Sequence, residues 1–177
     1  FESPLNEIIS FKRREADYLG YEQHPYNALM NTYDKGLTVE EVDTIFQNLK
    51  PQLSKLLAEV TNMPQVADDF LKQFFPKDKQ WEVGLDFLKK INYDFNSGRQ
   101  DISEHPFTIN FGSTDVRLTT RIDENDFANM LWSCLHEGGH ALYEQGLPNE
   151  AYGLPLGSYC SLSIHESQSR FWENNIG

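Results

Sequence analysis

Most hydrophobic positions in this chain recur every three or four residues, the period of a helix with one buried face. Over residues 5–19, Leu5, Ile8, Ile9, Phe11, Ala16 and Leu19 hold that spacing with charges between them, and His24-Pro25-Tyr26 breaks it. Thr38-Val39-Glu40-Glu41 reads as a capping box, a reciprocal pair of hydrogen bonds that starts a helix. Val42, Ile45, Phe46, Leu49, Leu53, Leu56, Leu57 and Val60 then keep helical spacing, and Pro51 is expected to kink that helix or split it. Residues 64–75 and 78–95 repeat the pattern, which makes the first 100 residues a helical part without sequence repeats.

The period then changes. Phe107-Thr108-Ile109-Asn110-Phe111 alternates, and so does Val116-Arg117-Leu118-Thr119-Thr120-Arg121-Ile122, with Gly112-Ser113-Thr114-Asp115 between them. Alternating runs around a turn-rich linker predict a β-hairpin. Helical spacing returns at residue 126 and continues through Leu135-His136-Glu137-Gly138-Gly139-His140-Ala141 to Gln145, where Gly146 and Pro148 stop it. Asp123 and Asn125 are both candidate N-caps. A last helix is expected over 158–174, with Leu162, Ile164, Phe171 and Trp172 as apolar anchors. The expected fold is mainly α, with a small β-hairpin or sheet beside one histidine-bearing helix.

That helix carries the chemistry. His136 and His140 are four residues apart, about 400° of rotation, so they share one face about 6 Å apart along the axis. Two imidazoles at that spacing suit two corners of a tetrahedral zinc site, and Glu137 sits beside them to take a proton from an activated water. The bland alternative is a partly buried helix with two satisfied histidines. Gly138 and Gly139 argue against it, since each costs a helix interior about 1 kcal/mol relative to alanine. They leave the helix bare where another backbone or a substrate approaches. Gly139→Leu is then expected to abolish turnover while metal stays bound.

A catalytic zinc needs a third protein ligand and an open position. Glu166, in Ser163-Ile164-His165-Glu166-Ser167-Gln168, is the best candidate, on a helix that can return antiparallel to the first. His165 competes with it, and a solvated helix charge is the other reading of Glu166. Arg170 follows Glu166 by one turn and is expected to form a structural salt bridge. A hairpin edge beside such a site can hold an extended peptide by main-chain hydrogen bonds. A hairpin that merely caps a helical bundle fits the pattern equally well.

Composition narrows the partners. Net charge is −12, which disfavours nucleic acid, because phosphate binding needs clustered Lys and Arg. No stretch approaches the roughly 18 apolar residues of a membrane span. Cys134 and Cys160 are the only cysteines, and reduced thiols in a cytoplasmic protein are expected. Cys134 projects roughly opposite His136 and reads as a buried structural thiol.

His105-Pro106-Phe107, Asp115-Val116-Arg117-Leu118-Thr119, His136-Glu137-Gly138-Gly139-His140 and His165-Glu166-Ser167 occur in that order. Together they resemble the HPF, DxRxT, HExxH and HES motifs of the carboxypeptidase Taq family of metallocarboxypeptidases. Tyr26-Asn27-Ala28-Leu29-Met30 and Gly36-Leu37-Thr38 resemble that family's earlier segment, so the likeness spans essentially all 177 residues. It implies a zincin-like helical metallopeptidase with a long groove, of the neurolysin kind. It implies His136, His140 and Glu166 as metal ligands, with zinc usual and cobalt or manganese as substitutes. Glu137 becomes the general base, and His105, Asp115, Arg117 and Thr119 border the substrate cleft. Peptides are the implied substrates, losing single residues from their C-termini, and a homodimer is implied.

Chains of that family are much longer and carry further motifs downstream. Residues 1–177 are therefore expected to be one catalytic-core fragment, helical over 1–100, with hairpin and metal helices over 101–177. Exopeptidase recognition is then incomplete in this stretch alone. An oligopeptidase or endopeptidase using the same metal helix, and an inactive metal-binding fragment, are the rival readings. A structural zinc site would be closed by four protein ligands, whereas three are visible here.

Overall fold

A computed structural model describes residues 1–176. The chain divides into two compact units, the first Phe1–Val66 and the second starting at Ala67. The boundary falls at residue 66, and the helix that follows it packs on the histidine-bearing helix.

The first unit holds α1 (Glu2–Leu19), α2 (Pro25–Met30) and α3 (Val39–Thr61). His24-Pro25, read as a break, also starts α2: His24 Nδ1 accepts the Tyr26 N–H, and proline at the first helical position loses nothing. Thr38 and Glu41 make the expected capping box, with both hydrogen bonds present. α3 runs on through Pro51 as one helix, contrary to the expected kink or split. The carbonyl that Pro51 leaves unbonded is that of Gln47, an exposed residue, so water can take it. Ala16 and Ala28 are the buried positions of α1 and α2, and α3 buries no residue among those described.

A helix was expected over residues 64–75, the stretch within which the second unit begins. Only a short 3-10 turn at Asp69–Leu71 forms there. Neighbouring side chains are almost all exposed, and a short helix without a buried face is marginal. α4 (Lys77–Lys90) follows, then β1 (Gly98–Ile102), β2 (Thr108–Asn110) and β3 (Val116–Thr120). The expected hairpin is β2 antiparallel to β3. β1, unforeseen, pairs parallel to β3 on its other side, which gives the order β1-β3-β2.

Register sets the two sheet faces. Val116, Leu118 and Thr120 of β3 point into the core, each fully buried, and pack against α5 (Phe127–Gln145). Leu88, Ile91, Tyr93, Leu135 and Ala141 complete that core. Fully burying a leucine-sized side chain contributes about 1.5–3 kcal/mol. α5 is capped by Asp126, whose side chain accepts the Asn129 N–H; neither Asp123 nor Asn125 serves. Cys134 is a buried thiol as expected, lying 3.0 Å from the Gln100 amide nitrogen, and burial pushes its pKa up.

α6 (Leu162–Asn175) is capped by Ser161 and runs antiparallel to α5, since Glu173 meets His136 while His165 meets Glu144. The paired glycines explain the closeness. A Cβ on Gly138 would stand 2.8 Å from the Ile91 side chain of the α4 end. A Cβ on Gly139 would stand 2.7 Å from both the Gln168 carbonyl oxygen and the Ser169 Cα. So α5 is bared on two adjacent faces, one for the core and one for the α6 backbone.

Two outcomes follow from this packing. Gly139→Ala gains about 1 kcal/mol of helix propensity but collides with backbone, and overpacking costs about 1–3 kcal/mol. Chemical denaturation is expected to show a net loss of stability. Because α6 carries Glu166, Gly139→Leu is expected to lose metal retention too, which reverses the sequence-based expectation for that variant. Equilibrium dialysis against zinc checks it.

Tyr93 gives a pH dependence. Its hydroxyl donates to the Val116 carbonyl at 2.6 Å inside the core, and burial raises its pKa well above the ordinary value of about 10. The folded pKa exceeds the unfolded one, so its contribution is complete below pH of about 10 and is lost as pH rises above it. Tyr93→Phe is expected to cost about 1–3 kcal/mol at pH 8 and to flatten the alkaline loss of stability. Urea midpoints at pH 8 and pH 11 measure both.

Candidate metal centre

α5 and α6 bring three ligating groups to one point. His136 Nε2 and His140 Nε2 lie 3.7 and 3.3 Å from Glu166 Oε2. The three ligating atoms lie within 4.8 Å of one another, and all three residues are half-buried. Helical spacing stacks the two imidazoles edge to face at 5.0 Å between ring centres. Glu166 reaches them because Gly139 lets α6 close in.

Each group is held from behind. His136 Nδ1 lies 2.9 Å from Glu173 Oε2. His140 Nδ1 lies 2.5 Å from His165 Nδ1. Arg170 donates from Nε to Glu166 Oε1 and from Nη1 to Glu173 Oε2, both at 2.9 Å, so the expected salt bridge spans two carboxylates. Ser169 Oγ lies 2.9 Å from Glu166 Oε2. His165, the rival third ligand, turns its nitrogens to His140 and to Glu144 and is not part of the trio.

Electrostatics fit the same division. Burial, reinforced by His165 and His136, lowers the His140 pKa to about 4. A ring that stays unprotonated keeps a lone pair for a metal. Burial would raise Glu166, but hydrogen bonds from Ser169 and Arg170, with the two histidines, bring it below the ordinary value. Glu137 goes the other way. It is 7% exposed, and burial raises its pKa, offset in part by the Thr108 hydroxyl, which donates to Oε2 at 2.7 Å.

Two nitrogens and one carboxylate oxygen, with the Nδ1 atoms engaged elsewhere, form a donor set suited to zinc and its neighbours. No fourth His, Cys, Asp or Glu joins the group among the described residues.

The other expected site residues divide. His105 is exposed and close enough to Glu137 for its charge to lower that carboxyl. Thr119 is 7% exposed and looks inward: its hydroxyl accepts the Phe107 N–H at 2.9 Å and bonds Ser103 Oγ at 2.7 Å, tying down the turn that carries His105. Asp115 and Arg117 satisfy each other through two 2.7 Å bonds, and the guanidinium lies 5.1 Å from the Phe111 ring centre. Arg117 alternates with the buried Val116 and Leu118, so it faces away from α5 and is not gathered with the trio.

Thr108, Asn110, Glu144 and Glu173 were missed. Each had a positional signal. Glu144 lies one helical turn beyond His140, Glu173 two turns beyond Glu166, and Thr108 and Asn110 share one face of β2.

Comparison with known proteins agrees with this geometry. The model of the carboxypeptidase Taq (M32) metallopeptidase family matches residues 1–177. Carboxypeptidase 1 of Bacillus subtilis strain 168 is 42% identical over 180 residues, covering 100% of this chain and 36% of that protein. Thermostable carboxypeptidase 1 of Pyrococcus furiosus is 41% identical over 180 residues, again covering 100% of this chain and 36% of its own length. A crystal structure of an M32 carboxypeptidase from Deinococcus radiodurans R1 superposes with a TM-score of 0.92 at 39% identity, covering 98% of this chain and 35% of that one. The chain thus spans about a third of the length of these relatives. With all four motifs in order and the family model matched end to end, the chain belongs to the carboxypeptidase Taq (M32) family of metallopeptidases.

Proposed function

We propose that this chain carries the metal-binding core of a zinc-dependent metallocarboxypeptidase, which releases single residues from peptide C-termini. The observation that carries the reading is the convergence of His136, His140 and Glu166 beside the buried Glu137. Cobalt or manganese would suit the same nitrogen and oxygen donors. The reading includes a cytoplasmic, homodimeric enzyme; no helix in the described residues is long and apolar enough to cross a membrane.

When bound, the ion supplies Lewis acidity, lowering the pKa of a water and polarising the scissile carbonyl. Glu137 accepts the proton that the attacking water gives up and returns it to the departing amine nitrogen as the C–N bond breaks. Burial raises its pKa above the ordinary carboxylate value, which strengthens it as a proton acceptor. Thr108 holds its Oε2, and His105 lies nearby. Among the described residues β2 is paired on one side only, by β3, which leaves an edge on which an extended peptide can add as a further strand. Arg117 and Asp115 support that hairpin from its outer face, and Thr119 positions the turn that borders the cleft.

Elemental analysis of the purified protein is expected to find about one zinc per chain, lost in Glu166→Ala. Glu137→Gln is expected to keep the metal and lower turnover by about 10²–10⁴-fold. Both variants are tested in the full-length protein, with one peptide as free acid and as C-terminal amide. Cleavage of the free acid alone is expected; equal cleavage of the amide would assign an endopeptidase instead.

A further inference from the structure

His136 is backed directly by a carboxylate, whereas His140 is backed by a second imidazole and a carboxylate in series. Glu144 is 5% exposed. One of its oxygens accepts from the Asn110 amide of β2, and the other lies 2.7 Å from His165 Nε2. A carboxylate oxygen can only accept, so His165 Nε2 carries a proton. In a neutral ring the other nitrogen, Nδ1, then holds a lone pair, and it lies 2.5 Å from His140 Nδ1. His140 Nδ1 must therefore donate, which leaves its lone pair on Nε2, the atom 3.3 Å from Glu166 Oε2. The Tyr143 and Tyr159 rings flank His165 with centres 5.0 and 5.3 Å away, so the relaying ring is fixed on its flanks as well as at both nitrogens.

We propose that Glu144 and His165 form a positioning couple, braced by Asn110, that locks His140 in the Nδ1–H tautomer and so presents Nε2 to the metal. The series arrangement follows from the geometry: Glu144 lies one turn from His140 on the same helix, and His165 of α6 closes the gap between them. This rests on the metal-centre reading above. The two residues act on the site through His140.

The test uses the full-length protein. In zinc-free wild type, long-range proton–nitrogen NMR is expected to show His140 protonated at Nδ1; a ring protonated at Nε2 overturns the proposal without any variant having to fold. His165→Phe keeps the ring and removes the acceptor, and is expected to weaken zinc binding about 10–100-fold. His165→Asn restores an acceptor close to the Nδ1 position and is expected to recover most of that loss, which a packing role would not predict. Equal zinc affinity in wild type, Phe and Asn variants overturns the couple alone. Failure of wild type to bind zinc overturns the metal reading and the couple's purpose together.

Discussion

The site depends on one close approach, the α6 backbone lying against Gly139 of α5. A β-carbon at that position would stand 2.7 Å from Gln168 and Ser169. Everything that α6 contributes comes from within a turn or two of that contact: Glu166, Ser169, Arg170, Glu173 and His165. Two facing helices ordinarily keep axes 8–10 Å apart because side chains intervene. Removing one side chain lets a carboxylate from one helix reach imidazoles on the other. The helix loses about 1 kcal/mol of propensity per glycine for this arrangement. The second glycine, Gly138, admits Ile91 and Leu88, so the same bare stretch also seats α5 on the core.

Around the trio the chain concentrates negative charge. Glu137, Glu144, Glu166 and Glu173 all lie within reach of the three histidines, and Arg170 is the one arginine bridging them in the described contacts. Partly buried carboxylates at this density repel one another, and burial works against the ionisation of Glu137 and Glu166. The hydrogen bonds divide them by task. Glu166 is held below its ordinary pKa by Ser169 and Arg170, as suits a ligand, whereas Glu137 has burial as its dominant influence and stands above it, as suits a base. One environment therefore produces two kinds of carboxylate, and a divalent cation would offset the surplus charge.

Legibility in the sequence followed the origin of each signal. α1, the capped start of α3, the β2–β3 hairpin, α5 and α6 were readable because their period or caps are local. The trio was readable because helical spacing and an ordered motif set mark it. β1 was not: Gly98-Arg99-Gln100-Asp101-Ile102 has no apolar alternation, and only Gln100 is buried, so its strand state comes from pairing with β3. The opposite error arose at residues 64–75, where apolar spacing exists but nearly all the side chains stay exposed and Phe75 meets Phe127. Glu144 and Glu173 read as ordinary helix polar positions, since their importance depends on which helix faces which. Thr119 belongs to a recognisable motif, yet its inward hydroxyl shows that a motif residue can serve the scaffold that holds a neighbour.

The sheet's mixed pairing has a kinetic consequence. β2 and β3 are neighbours in sequence and can zip up from their turn on the microsecond scale of hairpins. β1 joins β3 in parallel, across the whole of β2, so the connection must cross over before any of its hydrogen bonds form. Loop-closure entropy is spent first and recovered later, which makes this pairing the slow event. Thr108 and Asn110, which steady Glu137 and Glu144, lie in the fast-forming hairpin. The order of assembly therefore sets the polar props of the centre before the sheet beneath it is closed.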